Sequence, residues 1–179
     1  IDKINSKLAG ITILKGIEVD ILEDGSLDLP DKILSQLDLV IGAVHSKFRL
    51  SRSKQTTRVL RAMESKYFSI LAHPSSRLLD EREPCELDMP RIIEAARERG
   101  CYLELNSQPQ RLDLIDTYCQ LAKEQGVLIS INSDSHSTNG FDLLEGGINQ
   151  ARRGWLEKHD VLNTRSLHEL RKLLKATMG

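Results

Sequence analysis

D-L-V-I-G-A-V-H-S, residues 38 to 46, is a short apolar run rich in branched side chains that stops at a histidine. Such a run, nearly continuous in apolar character, fits a β-strand covered on both faces. The same arrangement recurs along the chain. I-T-I-L-K-G-I (11 to 17) is followed by Glu18, F-S-I-L-A (68 to 72) by His73 and C-Y-L-E-L (101 to 105) by Asn106. V-L-I-S-I-N (127 to 132) is followed, after one residue, by Asp134, with His136 two further on. Amphipathic stretches near 30 to 36, 54 to 66, 89 to 99, 112 to 125, 142 to 153 and 166 to 177 alternate with these runs. Asp88 and Pro90 open one helix, Gly100 and Gly126 follow two others, and Ser166 with Glu169 forms a capping-box pattern. Alternation of this kind predicts an α/β fold of parallel βα units, and with no linker in the pattern residues 1–179 form a single domain.

A ligand site in such a fold lies at the C-terminal ends of the strands, so the polar residue after each run is a candidate. From Glu18 to His45, His73, Asn106 and Asp134 the intervals are 27, 28, 33 and 28 residues, so the chemistry repeats with the architecture. In an open sheet the outermost of five strand ends stand far apart, whereas in a barrel all face one centre. The spacing predicts a barrel.

Composition narrows the partners. The chain has 25 basic and 26 acidic residues and 40% hydrophobic content, so no global field draws it to nucleic acid or membrane. Cys85, Cys101 and Cys119 are odd in number and form no C-x-x-C pair, which argues against a disulfide framework and fits a reducing cytoplasm. No apolar run approaches a membrane span.

Imidazoles and carboxylates converging on one point supply nitrogen and oxygen donors suited to zinc, manganese or iron. Any one of these residues alone is an ordinary hydrogen-bonding group; placed at successive strand ends, Glu18, His45, His73, Asp134 and His136 form a candidate metal-ligand set. Asn106 is a candidate for supporting a ligand or touching substrate. Asp20, two residues past Glu18, falls on the same face if the strand continues and is then a candidate to hold a ligand from behind; the other reading is a surface acid.

G-I-E-V-D (16 to 20), V-H-S (44 to 46), A-H-P (72 to 74) and D-S-H (134 to 136) resemble the later motifs of the polymerase-and-histidinol-phosphatase, or PHP, superfamily. L-A-H-P-S-S-R-L-L, L-E-L-N-S-Q-P-Q-R-L-D-L and A-R-R-G-W-L are similar to the PHP domain of bacterial family X DNA polymerases. The resemblance implies a distorted, TIM-like (β/α)7 barrel and a cluster of up to three divalent metals. It implies that Glu18 bridges two metals, that His45 and His73 complete one site, and that Asp134 and His136 serve the others. The H-x-H motif that opens the family's domain is absent. Ile1, Ile4 and Leu8 fall on one helical face with no cap before them, so the sequence reads as starting inside a helix, with roughly the first two βα units and a linked polymerase domain expected upstream.

A divalent cluster hydrolyses phosphate esters without a nucleophilic side chain, and the sequence has neither a P-loop nor a G-x-S-x-G elbow. Asp134 and His136 are the candidates to orient or deprotonate the attacking water. Lys47, Arg49, Arg52, Lys54, Arg58 and Arg61 follow His45 with no acid among them up to Met63. This stretch is either a phosphate-gripping rim or a solvated face. Arg49, Arg52, Arg77 and Arg111 are the candidate phosphate contacts, while Arg152, Arg153 and Trp155 read as a helix end with a partly buried anchor. The expected activity is metal-dependent 3′-to-5′ exonuclease or phosphodiesterase action on DNA ends. The alternatives are a histidinol-phosphatase-like phosphomonoesterase acting on a small metabolite and a non-catalytic module of a polymerase.

Overall fold

The computed structural model describes residues 1–178. In chain order its principal elements are α1 (Asp2–Asn5), β1 (Gly16–Asp20), α2 (Asp31–Leu34), β2 (Leu39–Ala43), α3 (Arg52–Ala62), β3 (Ile70–Leu71), α4 (Met89–Arg99), β4 (Tyr102–Asn106), α5 (Asp116–Glu124), β5 (Ile129–Asn132), α6 (Leu144–Arg153) and α7 (Leu167–Thr177). The five strands form one all-parallel sheet in the order β1-β2-β3-β4-β5. A doubly wound sheet reverses its strand order at a switch point. The consecutive order here is instead compatible with a TIM-like fold. Beyond β5 the ladder extends by a single parallel bridge between Ile129 and Val161.

Alternation along the strands sends successive side chains to opposite faces. Leu71, Leu103, Leu105 and Ile129 pack against Val59 and Ala62 of α3, Ile92, Ile93 and Ala96 of α4, and Cys119 and Ala122 of α5 in the main core. Ile70 and Tyr102 turn to the other face, where Leu162 and Leu174 cover them. There α7 is also tied down by polar contacts: the Tyr102 hydroxyl donates to the Leu173 carbonyl at 3.2 Å, and Thr177 Oγ1 lies 2.8 Å from Ser69 Oγ. Gly42 is required by packing, since a Cβ there would lie 2.2 Å from the Phe68 ring.

The helix ends follow the sequence. Asp88 caps α4 by accepting from the Arg91 N–H, Gly100 ends it at φ +71°, and Ser166 and Glu169 close a reciprocal capping box on α7. Three expectations change. The first strand lies at Gly16–Asp20 rather than 11 to 17, because it is Gly16 that pairs with Leu39; Glu18 is therefore mid-strand rather than beyond the strand, and Asn106 is the last residue of β4. The helix expected from Ile1, Ile4 and Leu8 is the single turn α1, and all three side chains are exposed. Trp155 is no partly buried anchor: it sits just past α6 at φ +58° and is 73% exposed. Among the described residues no helix is long and apolar enough to cross a membrane.

Candidate metal centre

Glu18 points from the middle of β1 toward the loops that leave β2 and β3. His45 and His73 each stand two residues past their strand, and the Nε2 atoms of both approach the same oxygen, Glu18 Oε1, at 3.0 and 3.2 Å. The imidazole centroids are 5.4 Å apart. Potential ligand atoms of the three residues all lie within 4.8 Å of one another, a separation one cation can bridge. His45 turns its other nitrogen, Nδ1, to Asp20 Oδ1 at 2.5 Å. A carboxylate behind an imidazole fixes its tautomer and orientation, as metal-ligating histidines require. The donor set, two imidazole nitrogens and a carboxylate oxygen, fits zinc, manganese or iron. Hydrogen bonds from His45 and then His73 hold the Glu18 carboxyl well below the usual carboxylate range, and the bond to Glu18 raises the pKa of His45 against the opposing effect of burial.

Asp134 and His136 are placed differently. Asp134, at φ +48°, shares with Glu18 a cavity of about 340 Å3 whose polar end also carries Glu104, Ser130 and Asn132. Its Oδ2 accepts from Asn106 Nδ2 at 3.1 Å and lies 3.6 Å from Arg111 Nε. Asp134 thus faces the same space as Glu18 without belonging to the three-residue cluster. His136 lies outside the three-residue cluster: its side chain is 87% exposed, its Nδ1 is 2.9 Å from the Asp134 carbonyl oxygen and 3.8 Å from Asp134 Oδ1, and with Asp134, Gln108, Gln110 and Arg111 it lines a shallow depression.

The four candidate phosphate-binding arginines divide. Arg111 stands beside Asp134 with a buried Nη1 that has no hydrogen-bond partner. Arg77 donates to the carbonyls of Arg111 and Leu112 at 2.6 and 2.5 Å and so shapes that loop. Arg52 pairs with Asp88 at 3.5 Å. Arg49 lines an open groove of about 990 Å3 with Lys47 and Arg82, and Glu81, Glu83 and Glu86 line the same groove, so its charge is mixed. Phe48 is covered by Arg82, whose guanidinium carbon lies 4.0 Å above the ring.

Two functional residues escaped sequence reasoning. Arg58 looked like one more member of the basic stretch, yet it is 1% exposed and donates to the carbonyls of Ile21, Leu22 and Ser46. It ties the loop that follows Asp20 at the end of β1 to the loop after β2, which carries His45. The available signal was its place in the apolar stripe of α3 beside Val59 and Ala62. Glu104, buried inside β4, was hidden in an apolar run; a lone acid at that place was the signal.

No family model matches the chain. Over 98% of its length it is 41% identical to the DNA polymerase/3′-5′ exonuclease PolX of Bacillus subtilis, of which it spans 31%. Over 88% of its length it is 31% identical to a "Probable phosphatase" of Thermoanaerobacter sp. (strain X514), of which it spans 66%. A second "Probable phosphatase", from Caldanaerobacter subterraneus subsp. tengcongensis, is 33% identical over 74% of the chain, which spans 54% of that protein.

Proposed function

This chain is a relative of the PHP-domain proteins, PolX among them, and from that premise we propose that it is a divalent-metal-dependent phosphoesterase acting on the 3′ ends of DNA within a family X polymerase. The observation that carries the proposal is the convergence of His45 and His73 on one oxygen of Glu18, with Asp20 behind His45. Glu18, His45 and His73 would hold the ion, and Asp134, facing the same cavity, is the candidate ligand of a neighbouring one. The chemistry supplied by a divalent ion at such a site is charge stabilisation on phosphoryl oxygens and acidification of water at neutral pH.

The chain's own groups do the rest. Asp20 keeps His45 Nδ1 engaged, leaving Nε2 directed into the site. Arg111 offers its unpartnered Nη1 to an anionic phosphate beside Asp134. The Asp134 carboxylate would accept a proton from the attacking water, and His136, exposed at the rim 3.8 Å from that carboxylate, would return one to the leaving oxygen. In this proposal the five consecutive parallel strands belong to a TIM-like barrel of βα units.

The test uses the full-length protein with manganese and a recessed 3′ DNA end. Shortening of the strand is expected, with at least a 100-fold loss for His73→Ala; undiminished shortening by that variant would refute the proposed site. A small phosphomonoester is the second substrate to assay, because the acids facing Lys47 and Arg49 weaken the groove as a polyanion track and two relatives are named as phosphatases. Metal binding without hydrolysis of either substrate would leave a non-catalytic module.

A further inference from the structure

We propose that Glu104 is the positioning residue of the metal centre: its buried carboxylate fixes the main chain of His73 and, through Asn106, the side chain of Asp134. The inference rests on the metal-binding reading of Glu18, His45 and His73 but not on any particular substrate.

Glu104 is 3% exposed, and its partners are all neutral N–H donors. Oε2 accepts from the main-chain N–H of His73 at 2.6 Å and from Asn106 Nδ2 at 3.2 Å, while Oε1 accepts from Asn132 Nδ2 at 2.8 Å. Asn106 Nδ2 also reaches Asp134 Oδ2 at 3.1 Å. One carboxylate therefore joins the loop after β3, the end of β4 and the loop after β5. Burying a carboxylate without a cation is unfavourable, and an apolar residue would fill this strand position more cheaply.

What the carboxylate does is visible in the two residues it links. His73 has φ +23° and Asp134 φ +48°, conformations that L-residues hold only when their surroundings over-determine them. The two histidines of the centre also differ in support. His45 has Asp20 at its second nitrogen, whereas the second nitrogen of His73, Nδ1, is buried with no partner. Among the described residues no hydrogen bond behind the His73 ring orients it. The ring is launched toward Glu18 from a main chain at φ +23°, and the group that holds that main-chain N–H is Glu104. Glu104 thus does for His73, through the backbone, what Asp20 does for His45 through the ring.

Glu104→Gln tests this, because the amide has nearly the shape of the carboxylate but replaces one of its two accepting atoms with a donor. Calorimetric titration of the full-length protein with zinc should show affinity reduced about 10- to 100-fold, the range for loss of a group supporting a metal ligand. Titration with cobalt should show a shifted or weakened visible absorption band, and thermal unfolding should remain cooperative. Wild-type zinc affinity and an unchanged cobalt spectrum in Glu104→Gln would overturn the inference. If that variant does not unfold cooperatively, Asn132→Ala decides, since it removes one donor to Glu104: a severalfold loss of affinity supports the inference and an unchanged value overturns it. Wild-type protein that binds zinc yet cleaves no phosphoester would refute the proposed function alone, whereas wild-type protein that binds no zinc would refute both.

Discussion

At the scale of single residues, the centre is a proton-sharing cluster whose protons a bound metal would replace. The depressed pKa of Glu18 gives stability that is present above the unfolded carboxyl value near ~4.3 and lost as pH falls through the folded one. The raised pKa of His45 gives stability that is full below the unfolded imidazole value near ~6.5 and lost as pH rises through the folded one. Metal-free protein should therefore gain its stability from this cluster chiefly between those values, and its melting temperature should fall on the alkaline side. Metal affinity should rise over the same alkaline range, because the proton on His45 must leave. Zinc titrations in buffers of different ionisation enthalpy would read that proton release; identical heats in all buffers would contradict it. Asp20→Asn should weaken zinc binding about 10- to 100-fold while leaving the fold intact, since it replaces the carboxylate behind His45 with a neutral amide. Glu18, His45 and His73 were legible from the sequence because each combines ligand chemistry with a position at the strand repeat. Glu104 and Arg58 were not, because they act through main-chain groups, and a sequence does not show which carbonyl or N–H a side chain will meet.

At the scale of elements, helices were easier to place than strands. Their ends carry local chemistry, as with Asp88 and Gly100 on α4 and Ser166 with Glu169 on α7. Ser166→Ala should cost about 1 kcal/mol by opening the capping box, measured as a lowered denaturant midpoint at constant slope; no change would mean that the box contributes nothing in solution. The first strand was displaced because I-T-I-L and G-I-E-V-D are adjacent and both strand-like, and only the partner decides between them. That partner is Leu39–Ala43, whose register opposite Gly16–Asp20 cannot be read from either segment alone. The same displacement put Glu18 and Asp20 inside β1 on one face, where both reach His45. Helix α5 begins at Asp116 rather than near 112 because the preceding residues do other work: buried Asp113 accepts from the Ser75 N–H and hydroxyl, each at 2.8 Å.

At the scale of the whole molecule, a consecutive parallel sheet curls its strand-end loops toward one side, and that geometry lets residues 27 and 28 positions apart meet at one oxygen. The parallel order was legible because every βα unit repeats the same apolar run and amphipathic helix. Which rim residues face the centre was not, since Asp134 faces the cavity it shares with Glu18 while the His136 ring, two residues on, rests against the Asp134 carbonyl and stays exposed. The chain spans 31% of PolX and 66% of a phosphatase relative, and all three residues of the cluster lie within it. The most direct test of that cluster is an anomalous difference map, recorded at the zinc absorption edge, from crystals grown with zinc. A peak should stand about 2.0–2.2 Å from Glu18, His45 and His73 together. Zinc bound elsewhere, with Glu18 still hydrogen-bonded to both histidines, would contradict the account.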